Sequence, residues 1–309
     1  MIAVAAGTVG AMVAARLQRS LDLGPEEIVV LSGDEIDAGE SEVLLVGDID
    51  RASLEGVMSS RIRWVHVLST GVDGFPFDLM EDRVLTCSRG ASAVAISEFV
   101  LAAMLTFEKR LPGQWISSEA EWRDAELGQL SGRTLGIVGL GEIGTGTAKR
   151  ALGFDMEVLA FRRTSAPSQL SGITLVPALD DLLGASDHLV IAAPATQATR
   201  HLIGAHAFGA MKNGVHLVNV SRGALVDQDA LLAALDTGKV AMATLDVTDP
   251  EPLPDGHRLY SHPRARVSPH VSWSSPVTAR RSIELFEQNF RSYRAGEPLS
   301  GVVDKDEGY

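Results

Sequence analysis

The chain has 309 residues, more than the roughly 250 to 300 at which a single hydrophobic core stops growing, so two domains are expected. Apolar residues make up 45% and charged residues 22%, a balance that excludes a disordered or low-complexity chain. A net charge of −13 disfavours a broad nucleic-acid surface, and the single cysteine, Cys87, excludes intrachain disulfides and cysteine-rich metal sites.

One cysteine suits a reducing compartment, so a cytoplasmic location is expected. The segment Met1 to Gly7 lacks a basic leader, and no apolar run approaches the roughly 18 residues that span a bilayer. Cys87 itself reads as a small buried apolar residue rather than a nucleophile.

The first ninety residues alternate short β-rich runs with helical or loop segments. Strands are expected at Ile2 to Ala5, Ile28 to Leu31, Val43 to Val46, Trp64 to Leu68 and Val84 to Cys87. Gly7-Thr-Val-Gly10 reads as a plain strand-to-helix turn, because it lacks a three-glycine spacing. Residues 94–111 are apolar on nearly every side, as in a helix buried between layers, and the crossing into a second domain is placed there. Six further strands follow, near Leu135 to Val138, Glu157 to Phe161, His188 to Ala192, Val215 to Val220, Ala241 to Leu245 and Arg266 to Ser268. A last helix over about Thr278 to Tyr293 is long enough to return to the first domain. The expectation is an α/β protein with two Rossmann-like domains. Residues 1–97 and 278–309 would form a flavodoxin-like substrate domain, and residues 98–277 a doubly wound dinucleotide-binding domain.

The strongest local signal is an apolar strand running into Gly139-Leu-Gly141-Glu142-Ile143-Gly144 and then a helix. Glycines at this spacing permit a tight turn, close approach of a pyrophosphate, and tight helix-to-strand packing. Ligands of an open parallel sheet collect beyond the carboxyl ends of the strands. The predicted strands run in turn into the glycine loop, Arg162-Arg163-Thr164, Pro194-Ala-Thr196, Ser221-Arg222-Gly223, Asp246-Val247 and Pro269-His270. Arg222 offers a planar guanidinium that can hold a carboxylate through two hydrogen bonds. His270, at a strand end, is a candidate proton donor, since an imidazole can both give and take a proton near neutral pH. Glu251, between Pro250 and Pro252, has restricted aim and could orient a histidine. Arg162-Arg163-Thr164 stands where an NAD-selective site places an acid for the ribose hydroxyls, so two cations and a hydroxyl favour the 2′-phosphate of NADP(H). Ser69-Thr70-Gly71-Val72-Asp73-Gly74, after a first-domain strand, reads either as a plain turn or as a loop that presents backbone N–H groups to a carboxylate.

Taken together, these segments resemble the D-isomer-specific 2-hydroxyacid dehydrogenase family, which includes glyoxylate and hydroxypyruvate reductases. The resemblance covers most of the chain. It runs from Ser-Thr-Gly-Val-Asp73 through the glycine loop, Ala193-Pro-Ala-Thr-Gln-Ala-Thr199, Asn-Val-Ser-Arg-Gly-Ala224, Leu245-Asp-Val and Asp-Pro-Glu-Pro-Leu-Pro254 to Ser-Pro-His270. It implies a reductase of a small 2-keto acid with Arg222 on the substrate, His270 as acid/base and Glu251 as its partner. It also implies Asp246 near the nicotinamide, Thr70, Gly71 and Val72 as a substrate cradle, and Pro194, Thr199 and Ser221 beside the cofactor. Such enzymes pair through their cofactor domains, and Trp115 and Trp122, in the insertion 112–130, are candidate anchors of a homodimer. No metal is implied. Two alternatives stay open at this stage, a dehydrogenase of another small anion such as phosphite or formate, and a dinucleotide-sensing binding protein.

Overall fold

The computed structural model describes residues 1–31, 37–47, 51–163 and 170–309. It divides into two compact units, Met1–Ser92 with Ser275–Tyr309, and Ala93–Ser274.

The first unit holds strands β1 (Ile2–Ala5), β2 (Ile28–Val30), β3 (Val43–Val46), β4 (Trp64–Val67) and β5 (Val84–Cys87), with helices α1 (Gly10–Leu21) and α2 (Arg51–Val57). The strands form one parallel sheet in the order β2-β1-β3-β4-β5, the flavodoxin-like arrangement. Strands β1, β3 and β4 are buried at every residue. The unbroken apolar runs of β1 and β3 belong to a parallel sheet covered on both faces, which is why they stand out in the sequence, while β4 buries His66 among its apolar residues.

The second unit starts with α3 (Ala93–Lys109) and continues through β6 (Thr134–Val138), α4 (Glu142–Leu152), β7 (Glu157–Phe161), β8 (Ile173–Leu175), α5 (Leu179–Ala185), β9 (His188–Ile191) and α6 (Ala205–Ala210). It ends with β10 (Val215–Asn219), α7 (Gln228–Thr237), β11 (Val240–Leu245), α8 (Arg258–Ser261) and β12 (Ala265–Val267). Its sheet has the order β12-β11-β10-β9-β6-β7-β8, and every pairing is parallel. This is the doubly wound dinucleotide-binding order with one strand added at the β12 edge. Among the described residues, seven strands replace the six expected. The additional one, β8, is an edge strand of three residues, Ile-Thr-Leu, too short for a period-two pattern to register.

Helix α3 is less enclosed than its composition suggests, with Glu98, Ala102 and Thr106 exposed along one line at four-residue spacing. Its buried side, Ile96, Val100, Leu101 and Met104, packs into the core over β6 and β7. Small residues let α4 approach it closely, since a Cβ on Gly146 would stand 3.3 Å from Ser97 Oγ.

The chain then returns to the first unit as α9 (Pro276–Ala295), which is capped by the Ser275 side chain accepting from Val277 N–H at 3.2 Å. Phe286 on α9 is fully buried and stacks on Trp64 with ring centroids 5.3 Å apart. The segment after α9 covers the outer edge of β5, with Cys87 N–H donating to Gly301 O at 3.0 Å and Val303 N–H to Leu85 O at 2.9 Å. Backbone groups that an open edge would leave unpaired are thereby satisfied. Among the described residues, no helix is long and apolar enough to cross a membrane.

Candidate active site

Because the second sheet is wholly parallel, all its strands deliver their carboxyl ends to one edge. The sheet order gives that edge a sequence of its own: His270 after β12, Asp246 and Glu251 after β11, Arg222 after β10, Pro194 after β9, the glycine loop after β6 and Arg162 after β7. The order reverses between β6 and β9, the switch point at which open α/β sheets bind ligands.

At that switch point the glycines are required by contact. Gly139 has φ +94°, and a Cβ there would stand 2.6 Å from the Ala193 backbone at the end of β9. A Cβ on Gly144 would stand 2.2 Å from Gly139 O, so this glycine lets α4 start against the turn. Gly141 faces open space, with nothing within 4 Å of its missing Cβ. The backbone N–H groups of Glu142 and Ile143 open an eleven-residue helix beside that space, the donor set and dipole sign a pyrophosphate takes. A loop with no side chain to obstruct approach fits a dinucleotide.

The next loop along the edge is tied down by its own hydroxyls. Thr199 Oγ1 donates to Pro194 O at 2.8 Å and accepts from Thr196 N–H at 2.8 Å, while Ser221 Oγ donates to Ala193 O. After β7, Arg162 is half-buried, and its Nε and Nη2 have no hydrogen-bond partner among the described residues. Arg163 is exposed, and Thr164 lies outside the described residues.

Arg222 leaves β10 through a turn held by the buried Asn219, whose Nδ2 donates to Arg222 O at 2.9 Å and whose Oδ1 accepts from Ser221 N–H at 3.1 Å. The guanidinium is half-buried, with Nη1 donating to Ser221 O at 2.7 Å. His270 Nδ1 stands 2.6 Å from Glu251 Oε1, and the two side chains are 37% and 39% exposed, open enough to meet a ligand. His270 has φ +52°, left-handed backbone that a residue with a Cβ adopts at a cost of about 1 to 3 kcal/mol.

Asp246 supplies the restraint. Its carbonyl accepts from His270 N–H at 2.9 Å, and its carboxylate, buried to 1% exposure, accepts from Ser268 Oγ at 2.6 Å, Val271 N–H at 2.9 Å and Ser272 N–H at 2.9 Å. Sequence reasoning placed Asp246 near the nicotinamide and did not find this grip on the His270 loop. The roles of Asn219 and Ser268 were also missed. For Asn219, the Asx-turn pattern at the strand end was the available signal.

Thr70, Gly71 and Val72 belong to the first unit, after β4. There Ser69 Oγ donates to Gly71 O at 2.6 Å, and Thr70 Oγ1 lies 3.0 Å from Ser92 Oγ.

A doubly wound sheet with a glycine cradle at its switch point and a histidine-carboxylate pair on the same edge defines a dinucleotide-dependent oxidoreductase. Residues 101–272 match the family described as D-isomer specific 2-hydroxyacid dehydrogenase, NAD binding domain, and the chain belongs to that family. A glyoxylate reductase of Korarchaeum cryptofilum (strain OPF8) is 33% identical over 275 residues, covering 85% of this chain and 82% of the relative. A hydroxypyruvate reductase of Thermotoga maritima is 36% identical over 208 residues, 65% of this chain and 67% of the relative. The crystal structure of a D-isomer specific 2-hydroxyacid dehydrogenase from Xanthobacter autotrophicus Py2, in complex with NADPH and MES, is similar over 100% of both chains, with a TM-score of 0.86 and 26% identity. The protein is a nicotinamide-dependent 2-hydroxyacid dehydrogenase.

Proposed function

We propose that the enzyme reduces a small 2-keto acid such as glyoxylate or hydroxypyruvate to the D-2-hydroxy acid, with His270, Glu251 and Arg222 as its working residues and NADP(H) favoured over NAD(H). The observation that carries the reading is the 2.6 Å contact between His270 Nδ1 and Glu251 Oε1, one strand away from Arg222 on the same sheet edge. The relatives named above, a glyoxylate and a hydroxypyruvate reductase, support the substrate class.

The bound nicotinamide supplies the hydride for reduction and accepts it in the reverse direction. Arg222 holds the substrate carboxylate with two parallel hydrogen bonds and polarises the neighbouring carbonyl. Glu251, bonded to Nδ1, keeps the proton on that nitrogen and leaves His270 Nε2 to deal with the substrate. In reduction, Nε2 donates its proton to the carbonyl oxygen. In oxidation, the neutral imidazole removes the hydroxyl proton at the same atom.

The NADP preference is supported by Arg162. Its Nε and Nη2 are buried and have no hydrogen-bond partner among the described residues, and a 2′-phosphate would offer them charge-assisted bonds. The neighbour from Xanthobacter autotrophicus was solved with NADPH. A homodimer is supported by Trp115 and Trp122, which are 75% and 81% exposed in the single chain and therefore do not pack within it. A reducing compartment such as the cytoplasm suits a chain whose single cysteine, Cys87, is buried and unpaired.

The deciding experiment is a panel of 2-keto acids assayed with NADPH and NADH at the nicotinamide absorbance. Rapid turnover of small 2-keto acids, more efficient with NADPH, is expected. Turnover of none of them overturns the assignment of substrate.

A further inference from the structure

The acid/base pair is only as well placed as the loops that carry it, and the Glu251 loop is held from behind by Gln228. This residue opens α7, and its side-chain Nε2 donates to the Asp249 carbonyl. Its Oε1 accepts from Asp249 N–H at 3.3 Å. One carboxamide thus satisfies both backbone groups of a single residue, two positions before Glu251.

The surrounding contacts give that clamp a rigid base. A Cβ on Gly223 would stand 1.9 Å from Thr248 C and 2.4 Å from Asp249 N, so the Arg222 turn and the start of the Glu251 loop lie in direct apposition. Asp227 caps α7 by accepting from Asp229 N–H and Ala230 N–H, which fixes where the Gln228 side chain begins. Within the loop, Thr248 Oγ1 donates to Pro250 O at 2.9 Å, and Thr248 N–H donates to Glu251 Oε2 at 3.4 Å. Arg200 Nη1 holds the Asp249 carboxylate at 3.4 Å.

We propose that Gln228 is a positioning residue for the acid/base pair: its amide fixes Asp249 so that Glu251 Oε1 stays within hydrogen-bonding distance of His270 Nδ1. The inference rests on the reading of His270 and Glu251 as that pair. A carboxamide is suited to the task because it presents a donor and an acceptor side by side without charge. A glutamate of the same length keeps the acceptor, loses the donor, and turns a negative oxygen toward the Asp249 carbonyl.

The test compares the full-length wild type, Gln228→Ala, Gln228→Glu, Glu251→Gln and the Gln228→Ala/Glu251→Gln double variant. In Gln228→Ala and Gln228→Glu, amide hydrogen exchange at Asp249 rises, and kcat for keto-acid reduction falls roughly 10- to 100-fold, as for a catalytic group displaced by about 1 Å. The dissociation constant for the dinucleotide stays within about twofold. In the Glu251→Gln background, Gln228→Ala produces no further loss, because the carboxylate it positions is already gone. Unchanged exchange at Asp249, or a kcat loss of equal size in both backgrounds, overturns the clamp while leaving the acid/base reading intact. Wild-type turnover by Glu251→Gln overturns the acid/base reading and the clamp with it.

Discussion

His270 follows the edge strand β12 and Arg162 follows β7 on the other side of the switch point, and the two make separable demands on the site. Loss of the imidazole removes the proposed proton donor without touching the glycine cradle. His270→Ala is therefore expected to lower kcat for reduction by about two to four orders of magnitude, the span of general acid catalysis, while dinucleotide affinity measured by fluorescence titration stays near wild type. Near-normal kcat would remove His270 from the mechanism. Arg162→Ala acts at the other end. Removing a charge-assisted hydrogen bond worth about 1.5 to 3 kcal/mol should raise the KM for NADPH roughly tenfold or more and leave that for NADH within about twofold. Side-by-side steady-state assays check this, and equal changes in both constants would refute the phosphate contact.

Helix α9 shows how an element of one unit depends on residues far along the chain. It is capped at Ser275, ends at Gly296 with φ +70°, and between them buries Ile283, Phe286 and Phe290 in the core that also holds Ile2, Val4, Leu45 and Trp64. Its polar side is anchored too, with Glu287 accepting from Arg16 Nε at 3.0 Å and from Ser20 Oγ at 2.8 Å. The stack of Phe286 on Trp64 is the centre of this packing. Phe286→Ala is expected to cost about 3 to 5 kcal/mol through lost transfer energy and the cavity left behind. Urea denaturation followed by Trp fluorescence measures it. A cost below about 1 kcal/mol would show that the helix is not held by this face.

At the scale of the whole molecule, the described residues include three buried histidines held neutral, His66, His188 and His216, and these set its response to acid. Burial holds His66 at about 3 and His188 at about 4, and holds His216 well below its ordinary 6.5. Each is satisfied in one tautomeric chain. In the first unit, Trp64 Nε1–H donates to Thr86 Oγ1 at 2.8 Å, leaving the Thr86 hydroxyl to donate to His66 Nδ1 at 2.7 Å. In the second, His188 Nε2 meets Glu108 Oε1 at 3.1 Å, His188 Nδ1 meets His216 Nδ1 at 3.2 Å, and His216 Nε2 meets Thr244 Oγ1 at 3.0 Å. A second proton between the two Nδ1 atoms would set donor against donor. Since the unfolded chain takes up protons below pH 6.5 and the folded one does not, stability is full above that value and falls as pH drops toward the folded values near 4 and 3. Between pH 6 and 5 the unfolding free energy should fall by up to about 1.4 kcal/mol per pH unit for each such histidine, with His66→Gln flattening the slope of the first unit. Denaturant titrations at the two pH values check it, and a flat profile would mean that these imidazoles are protonated in the fold. At the same scale, the proposed homodimer predicts a light-scattering mass of twice the 32.8 kDa of one chain at micromolar concentration. A single-chain mass would reject it.

Local sequence pattern by itself determined the strands that are apolar throughout, such as Ile2–Ala5 and Val43–Val46, because a parallel sheet covered on both faces demands unbroken burial. It also determined the glycine cradle at Gly139, Gly141 and Gly144, where spacing and backbone geometry are the same information, and the candidate residues Arg222, Glu251 and His270, which end or follow strands. Only the tertiary structure decided what holds those residues in place. Gln228 meets Asp249 because β10 and β11 are neighbours, Asp246 grips the loop after His270 because β11 and β12 are neighbours, and Arg162 has buried nitrogens without a hydrogen-bond partner among the described residues. It also left Trp115 and Trp122 in solvent and added β8 as a three-residue edge strand. Hydrophobic periodicity reports which face of its own element a residue occupies. Contacts between loops depend instead on the order of strands across the sheet, which is set by packing of the whole unit and has no local signature in the chain.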